Sequence, residues 1–301
     1  MGGRLYIYFR ERYPVFARLL LGLIIFLEIH FIVLLNYGVT EFRIGVQEIT
    51  GAYTVFAFLL WLRIADDLKD YETDMRLFPE RPLPSGRTRR SDVVIICAIA
   101  QTVAAGLNFC FMNNLPFFCI LYLYGYLMSK WFFQRARIQP SLPLALVTHN
   151  PVQMFVNLYI ISFTVIKYRL TPAVSLITVM TLWTLYFPAL IWEISRKIRA
   201  PKDENDYVTY SKLFGYVRPT RFVLILTLAD IVTNMILVWN LNKLTLLLLA
   251  LLVGWMSLRF VQFIRNPERF ALVAQVERYT YLQESLMLLT IMGYLVFGKI
   301  G

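Results

Sequence analysis

Nine apolar segments, each near the ~20 residues an α-helix needs to cross a hydrocarbon core, dominate this chain and leave it few other ways to fold. They run approximately from Val15 to Leu35, Ile49 to Ala65, Ser91 to Met112, Leu115 to Lys130, Leu142 to Val165, Pro172 to Trp192, Arg221 to Trp239, Leu241 to Phe263 and Tyr279 to Phe297. Hydrophobic residues make up 58% of the chain, charged residues only 16%, and the mean hydropathy is +0.58, which excludes an ordinary soluble domain. The expectation is an all-α, polytopic membrane protein with nine transmembrane helices.

Charge sets the orientation. Of the 30 Lys and Arg residues, all but Arg43, Lys167, Arg169, Lys243 and Lys299 fall at the N-terminus or after the second, fourth, sixth and eighth spans. Cytoplasmic loops carry the excess of Lys and Arg, so the N-terminus and the two long polar stretches, Arg63 to Arg90 and Glu193 to Arg218, are expected on the cytoplasmic side. The net charge of +11 then reads as topology and as attraction for anionic membrane lipids and phosphates, and it does not point to nucleic acid. The basic, aromatic N-terminus, Met1 to Arg12, suits a short interfacial segment. No small-residue cleavage site follows the first apolar run, so that run is read as a retained span. Cys97, Cys110 and Cys119 lie in or beside spans without paired spacing and read as packing residues.

The two long polar stretches follow the second and sixth spans, four helices apart. This predicts a single transmembrane domain over residues 1–301, with a first four-helix half at 1–140. The second half, 141–301, adds a ninth helix, and each half contributes one polar loop to a shared central chamber.

Acids and then arginines crowd the end of the second span. Read at 3.6 residues per turn, Asp66, Asp70 and Asp74 fall at i, i+4 and i+8 on one slowly drifting face, with Asp67 at its edge. Carboxylates so placed repel one another and call for a cation between them, and hard oxygen ligands beside phosphate suit magnesium better than zinc. Arg81-Pro-Leu-Pro-Ser-Gly-Arg87 follows at once.

The pattern Asp66-Asp67-x-x-Asp70-x-x-x-Asp74 with Arg81-Pro-Leu-Pro-Ser-Gly-Arg87 closely resembles the first aspartate-rich signature of the UbiA superfamily of intramembrane prenyltransferases. The usual form there begins Asn-Asp, so Asp66 stands in the Asn position. The resemblance implies a nine-helix bundle around a central cavity capped on the cytoplasmic side. The second loop departs further from the family's Asp-x-x-x-Asp. Glu193 can take the first acidic position, but Lys197 stands one turn later, and Asp203, Glu204 and Asp206 come after Pro201. Either Glu193 binds metal with Asp203 or Glu204 folding back over the site, or Arg196, Lys197 and Arg199 clamp the diphosphate directly. The run Tyr207 to Gly215 is again similar to the family's.

By this resemblance Asp66, Asp67, Asp70, Asp74 and Glu193 are the catalytic acids, and Asp66, Asp70, Asp74, Glu193 and Asp203 the magnesium ligands. Arg81, Arg87, Lys130, Arg196, Lys197 and Arg199 are the residues expected to bind diphosphate. Departure of diphosphate builds negative charge on phosphate oxygens and positive charge on an allylic carbon; metal and cations stabilise the first, and apolar and aromatic walls shelter the second from water. His149 and Asn150 read as a structural pair. Asp230, Glu28 with His30, Glu277 and Glu284 are costly polar residues in or beside spans, for which interhelical hydrogen bonding is the default.

The expected function is magnesium-dependent transfer of a prenyl group from a prenyl diphosphate to a lipophilic acceptor, an aromatic quinone precursor being typical of the family and a glycerol lipid or another terpene the alternatives. A membrane terpene cyclase of the same superfamily, which ionises and cyclises the prenyl diphosphate without an acceptor, is the second expectation. A non-catalytic lipid-binding protein of the same fold is the third, and the intact first motif argues against it.

Overall fold

Helix covers the core of every predicted apolar segment in the computed structural model, which describes residues 1–172, 174–204 and 206–298. Lys299, counted above among the few cations of the far side, lies outside the described residues. A short amphipathic helix, α1 (Gly2–Glu11), precedes the first span, α2 (Val15–Asn36). α3 (Val46–Lys69) begins where the Glu48 carboxylate accepts the Gly45 backbone N–H at 2.8 Å, satisfying one of the donors a helix start leaves open. After Asp70 come α4 (Tyr71–Leu77), α5 (Arg90–Phe111), α6 (Leu115–Ser129), with Pro116 in its first turn, and α7 (Arg135–Ile138). Ser141 starts α8 (Leu142–His149) by accepting the Leu144 N–H at 3.3 Å, and Pro151, which has no N–H to give, separates it from α9 (Val152–Lys167). α10 (Leu176–Trp183), α11 (Tyr186–Ser195), α12 (Tyr210–Phe214), α13 (Val217–Val238), α14 (Lys243–Arg265) and α15 (Leu272–Phe297) complete the chain.

Among the described residues, eight helical stretches are long and apolar enough to cross a membrane, with α8–α9 and α10–α11 each counted as one. The ninth predicted segment is α6, an apolar helix of 15 residues. At 1.5 Å per residue it measures about 22 Å, short of a hydrocarbon core of about 30 Å.

The chain divides into two compact units, the first comprising Met1–Leu27, Phe42–Gln139 and Leu158–Leu170, the second Glu28–Glu41, Pro140–Asn157 and Thr171–Gly301. In the first unit, α3 packs closely on its neighbours at glycines: a Cβ at Gly51 would overlap the Phe26 ring, and one at Gly125 would overlap Trp61. A buried relay joins α3, α5 and α9, with Asn108 donating to Thr54 Oγ1 and accepting from the Tyr159 hydroxyl, each at 2.7 Å. Polar groups inside spans are satisfied by one another because no water is available.

The core of the second unit lies among α11, α13, α14 and α15, around Ile191, Ile194, Val223, Met256, Phe260, Val276 and Tyr279. Its sharpest irregularity is the break between α10 and α11, where Leu185 adopts a left-handed conformation (φ 57°) with neither Gly nor Pro at the position. The break frees carbonyls, and the buried Asn157 amide collects them, donating to Thr184 O at 2.8 Å and Leu182 O at 3.1 Å.

Candidate functional site

The first acidic motif spans a helix end that barely interrupts the helix. Asp70 leaves helical geometry (φ −97°, ψ 8°), yet its N–H still bonds Asp66 O at 2.9 Å, and the Asp74 N–H bonds Asp70 O at 2.9 Å. The predicted stacking of Asp66, Asp70 and Asp74 therefore persists in the backbone across the junction of α3 and α4. Their side chains have different company. Asp66 Oδ1 pairs with Lys69 Nζ at 2.8 Å, and the Lys69 ammonium lies 4.4 Å from the centroid of the Trp131 ring.

Asp67 and Asp74, seven residues and so two turns apart, line one small recess with Tyr8, Arg12, Arg81, Leu83 and Pro84, filled closely enough that no water-sized space remains. Asp67 is 5% exposed and its two oxygens are fully engaged. Arg12 donates from Nη2 to Oδ1 at 2.6 Å, Tyr8 donates its hydroxyl to Oδ2 at 2.8 Å, and Arg63 donates to both oxygens from one turn back. Asp74 receives Arg81 Nη1 at 2.6 Å, and that guanidinium stacks 3.8 Å above the Phe78 ring. Burial first, and then the negative charge of Asp67, push the Tyr8 hydroxyl well above its ordinary pKa, so it stays a donor.

Tyr8 and Arg12 were not foreseen as site residues. They belong to the segment read as interfacial, where Arg4, Tyr8 and Arg12 recur every four residues on one face; that stripe is the signal that marks a docking edge. The edge is used along its length. Arg4 pairs with Asp92 at 2.5 Å, the Thr88 hydroxyl donates to Arg4 O at 2.9 Å, and Arg87 forms a two-pronged pair with Glu11 at 2.5 and 2.8 Å. That pair holds the exposed Glu11 carboxyl below its ordinary range. Arg87 is thus at the rim, tied to α1, while Arg81 lies in the recess.

Lys130 ends α6, its ammonium 5.9 Å from the Tyr126 ring centroid. After it, Trp131, Phe132 and Phe133 all take positive φ (53°, 49° and 57°). Left-handed backbone costs roughly 1–2 kcal/mol per non-glycine residue. Strain of this kind persists where surrounding contacts hold it, and here it sets the Trp131 ring under Lys69 beside the first motif.

In the second loop Glu193, at the end of α11, pairs with Arg196 Nε at 2.5 Å and Lys197 Nζ at 3.0 Å. Asp203 is exposed in the turn Pro201–Asp203, and Arg199 Nη1 reaches its carbonyl at 3.5 Å. Glu204 does not fold back toward Glu193: it accepts from Thr209 at 2.8 Å and from Ser211, fixing the start of α12. Among the described residues, no three His, Cys, Asp or Glu side chains come together as a ready ligand set. Asp66, Asp67, Asp74 and Glu193 are instead each matched to a cation, an arrangement suited to a site that exchanges its internal ion pairs for a charged ligand.

A solved structure of a digeranylgeranylglyceryl phosphate synthase in membranes matches this architecture with a TM-score of 0.61, covering 97% of this chain and 99% of that one at 15% identity. The likeness is one of fold. No family model matches the chain, and no curated protein matches its sequence. The fold and the eight long apolar helices make this an integral, multi-pass membrane protein.

Proposed function

We propose that this chain is an intramembrane prenyltransferase that ionises a prenyl diphosphate and joins its chain to a lipophilic acceptor. The observation that carries the reading is the end of α3, where Asp67 and Asp74 hold Arg12, Arg63 and Arg81 at the mouth of an apolar helix, in a fold shared with a synthase of a prenylated glyceryl phosphate.

Magnesium fits the donor chemistry of Asp66, Asp70 and Asp74, whose hard carboxylate oxygens would hold it, and when bound it supplies positive charge to the departing diphosphate. Asp67 fits that role poorly, since both its oxygens are committed to Tyr8, Arg12 and Arg63, and it acts as the positioning acid of the site. Arg81 and Arg87 are the phosphate donors of the first loop, with Lys130 as a further cation. Glu193 and Asp203 are proposed as the acids of the second loop, and Arg196, Lys197 and Arg199 as its phosphate-binding cations.

The acceptor is proposed to be a membrane lipid bearing a nucleophilic hydroxyl or aromatic carbon. The fold likeness is to an enzyme named for a prenylated glyceryl phosphate, which supports transfer over cyclisation. The test is incubation of purified protein with a labelled prenyl diphosphate, with and without a membrane-lipid extract. Transfer predicts label in a new lipid only when the extract is present; a cyclised product without it would select the cyclase.

A further inference from the structure

Three acids of the second unit meet deep inside the spans. Glu28 of α2, Asp230 of α13 and Glu284 of α15 are 0%, 0% and 5% exposed. Each lies roughly 18–20 Å along its helix from the first residue, at 1.5 Å per residue, so all three sit at matching depth. The Gln283 amide bridges two of them, donating to Asp230 Oδ2 at 2.6 Å and to Glu284 Oε1 at 3.1 Å. Asn234 donates to Asp230 Oδ1 at 3.3 Å and accepts from the Thr184 hydroxyl at 3.0 Å, which carries the network to the α10–α11 break.

Donors then run out. The Glu284 carboxyl lies within reach of that of Glu28, and Asp230 acts on both. Yet both Glu28 oxygens and Glu284 Oε2 have no hydrogen-bond donor, and no Lys or Arg pairs with any of the three among the described residues. A separate group points into the same place: the Tyr279 hydroxyl, on a residue 1% exposed, has no partner and lies in the field of Asp230 and Glu284. Ionised carboxylates only accept hydrogen bonds, so two of them side by side with no cation cannot bond each other. A proton on one supplies the missing donor, and burial of an unpaired charge at this depth is costly.

We propose that Glu28, Asp230 and Glu284 form an intramembrane proton-binding site, with an exchangeable carboxylic proton held between Glu28 and Glu284. It is independent of the acidic motif of α3 and α4 and does not depend on the activity proposed above. A buried carboxyl pair sharing a proton takes one up or gives one up within the spans, and Asn234 and Thr184 tie its occupancy to the broken helix whose last turn carries Glu193.

The test is infrared spectroscopy of the full chain in detergent at neutral pH, in water and in deuterium oxide. The expected result is a protonated-carboxyl carbonyl band that shifts on deuteration and is lost or halved in Glu28→Gln and in Glu284→Gln. Both variants should fold, since the glutamine amide supplies the donor that the proton supplied. Labelling of the wild-type chain with a hydrophobic carbodiimide, which reacts with protonated carboxyls in apolar surroundings, needs no variant and should place an adduct on Glu28 or Glu284. Absence of both band and adduct would overturn the proposal. So would a rise in thermal stability with sodium that both variants abolish, because the acids would then be ionised and hold a metal cation.

Discussion

Asp67 and Asp70 sit three residues apart in one acidic run and are asked to do different things. Asp67 ties α1 to α3 through partners 55 and 59 residues distant, whereas Asp70 stands at the helix junction. Breaking a buried ion pair by removing one partner leaves charge uncompensated, so Asp67→Asn is expected to cost about 3 kcal/mol, the low end for such pairs because Arg12 and Arg63 keep some contact with water. Asp70→Asn is expected to cost less, since Asn keeps the shape of a half-buried side chain at the helix junction. Thermal unfolding of the two variants in detergent checks the contrast, and equal losses would contradict it. The sequence placed these acids at a helix end correctly, since helical spacing is local. It could not show which acid is spent on structure, because Tyr8 and Arg12 reach Asp67 only once α1 has docked.

The same limit governs the helices themselves. The break between α8 and α9 falls inside a stretch read as one span, yet it was signalled, since Asn150-Pro151 denies the helix a donor. That between α10 and α11 was hidden at the break itself: Thr184-Leu185-Tyr186 carries no Gly or Pro, and the signal stands downstream, where Pro188 cannot donate to Thr184 O, the carbonyl that the Asn157 amide from α9 takes instead. Asn157→Ala leaves buried carbonyls without a donor and is expected to destabilise the chain by about 1–3 kcal/mol. Faster backbone hydrogen exchange around Leu185 in the variant is the measurement that checks it, and unchanged exchange would place the cause of the break elsewhere. The left-handed turn at Trp131 to Phe133 was equally hidden, because aromatic residues carry no signature for positive φ.

At the scale of the whole molecule, hydropathy made the membrane class and the all-helical architecture plain, while the number of crossings hangs on α6. If α6 crosses, the loop bearing Arg87 and the loop bearing Lys202 emerge on the same side; if it lies within one leaflet, they emerge on opposite sides. The distribution of Lys and Arg predicts the same side. Single cysteines at positions 87 and 202, in a background with Cys97, Cys110 and Cys119 replaced, should therefore react together with an impermeant maleimide in sealed vesicles of one orientation. Reaction of only one of them would remove α6 from the spans. Prenyl-transfer chemistry at the end of α3 is tested by diphosphate release from prenyl diphosphates by purified protein supplied with membrane-lipid extract, with magnesium or a chelator, for the wild type and Asp70→Asn. Release is expected to need magnesium and to fall by at least ~100-fold in the variant, about 2.7 kcal/mol of transition-state stabilisation. Release that survives both the chelator and the substitution would contradict it.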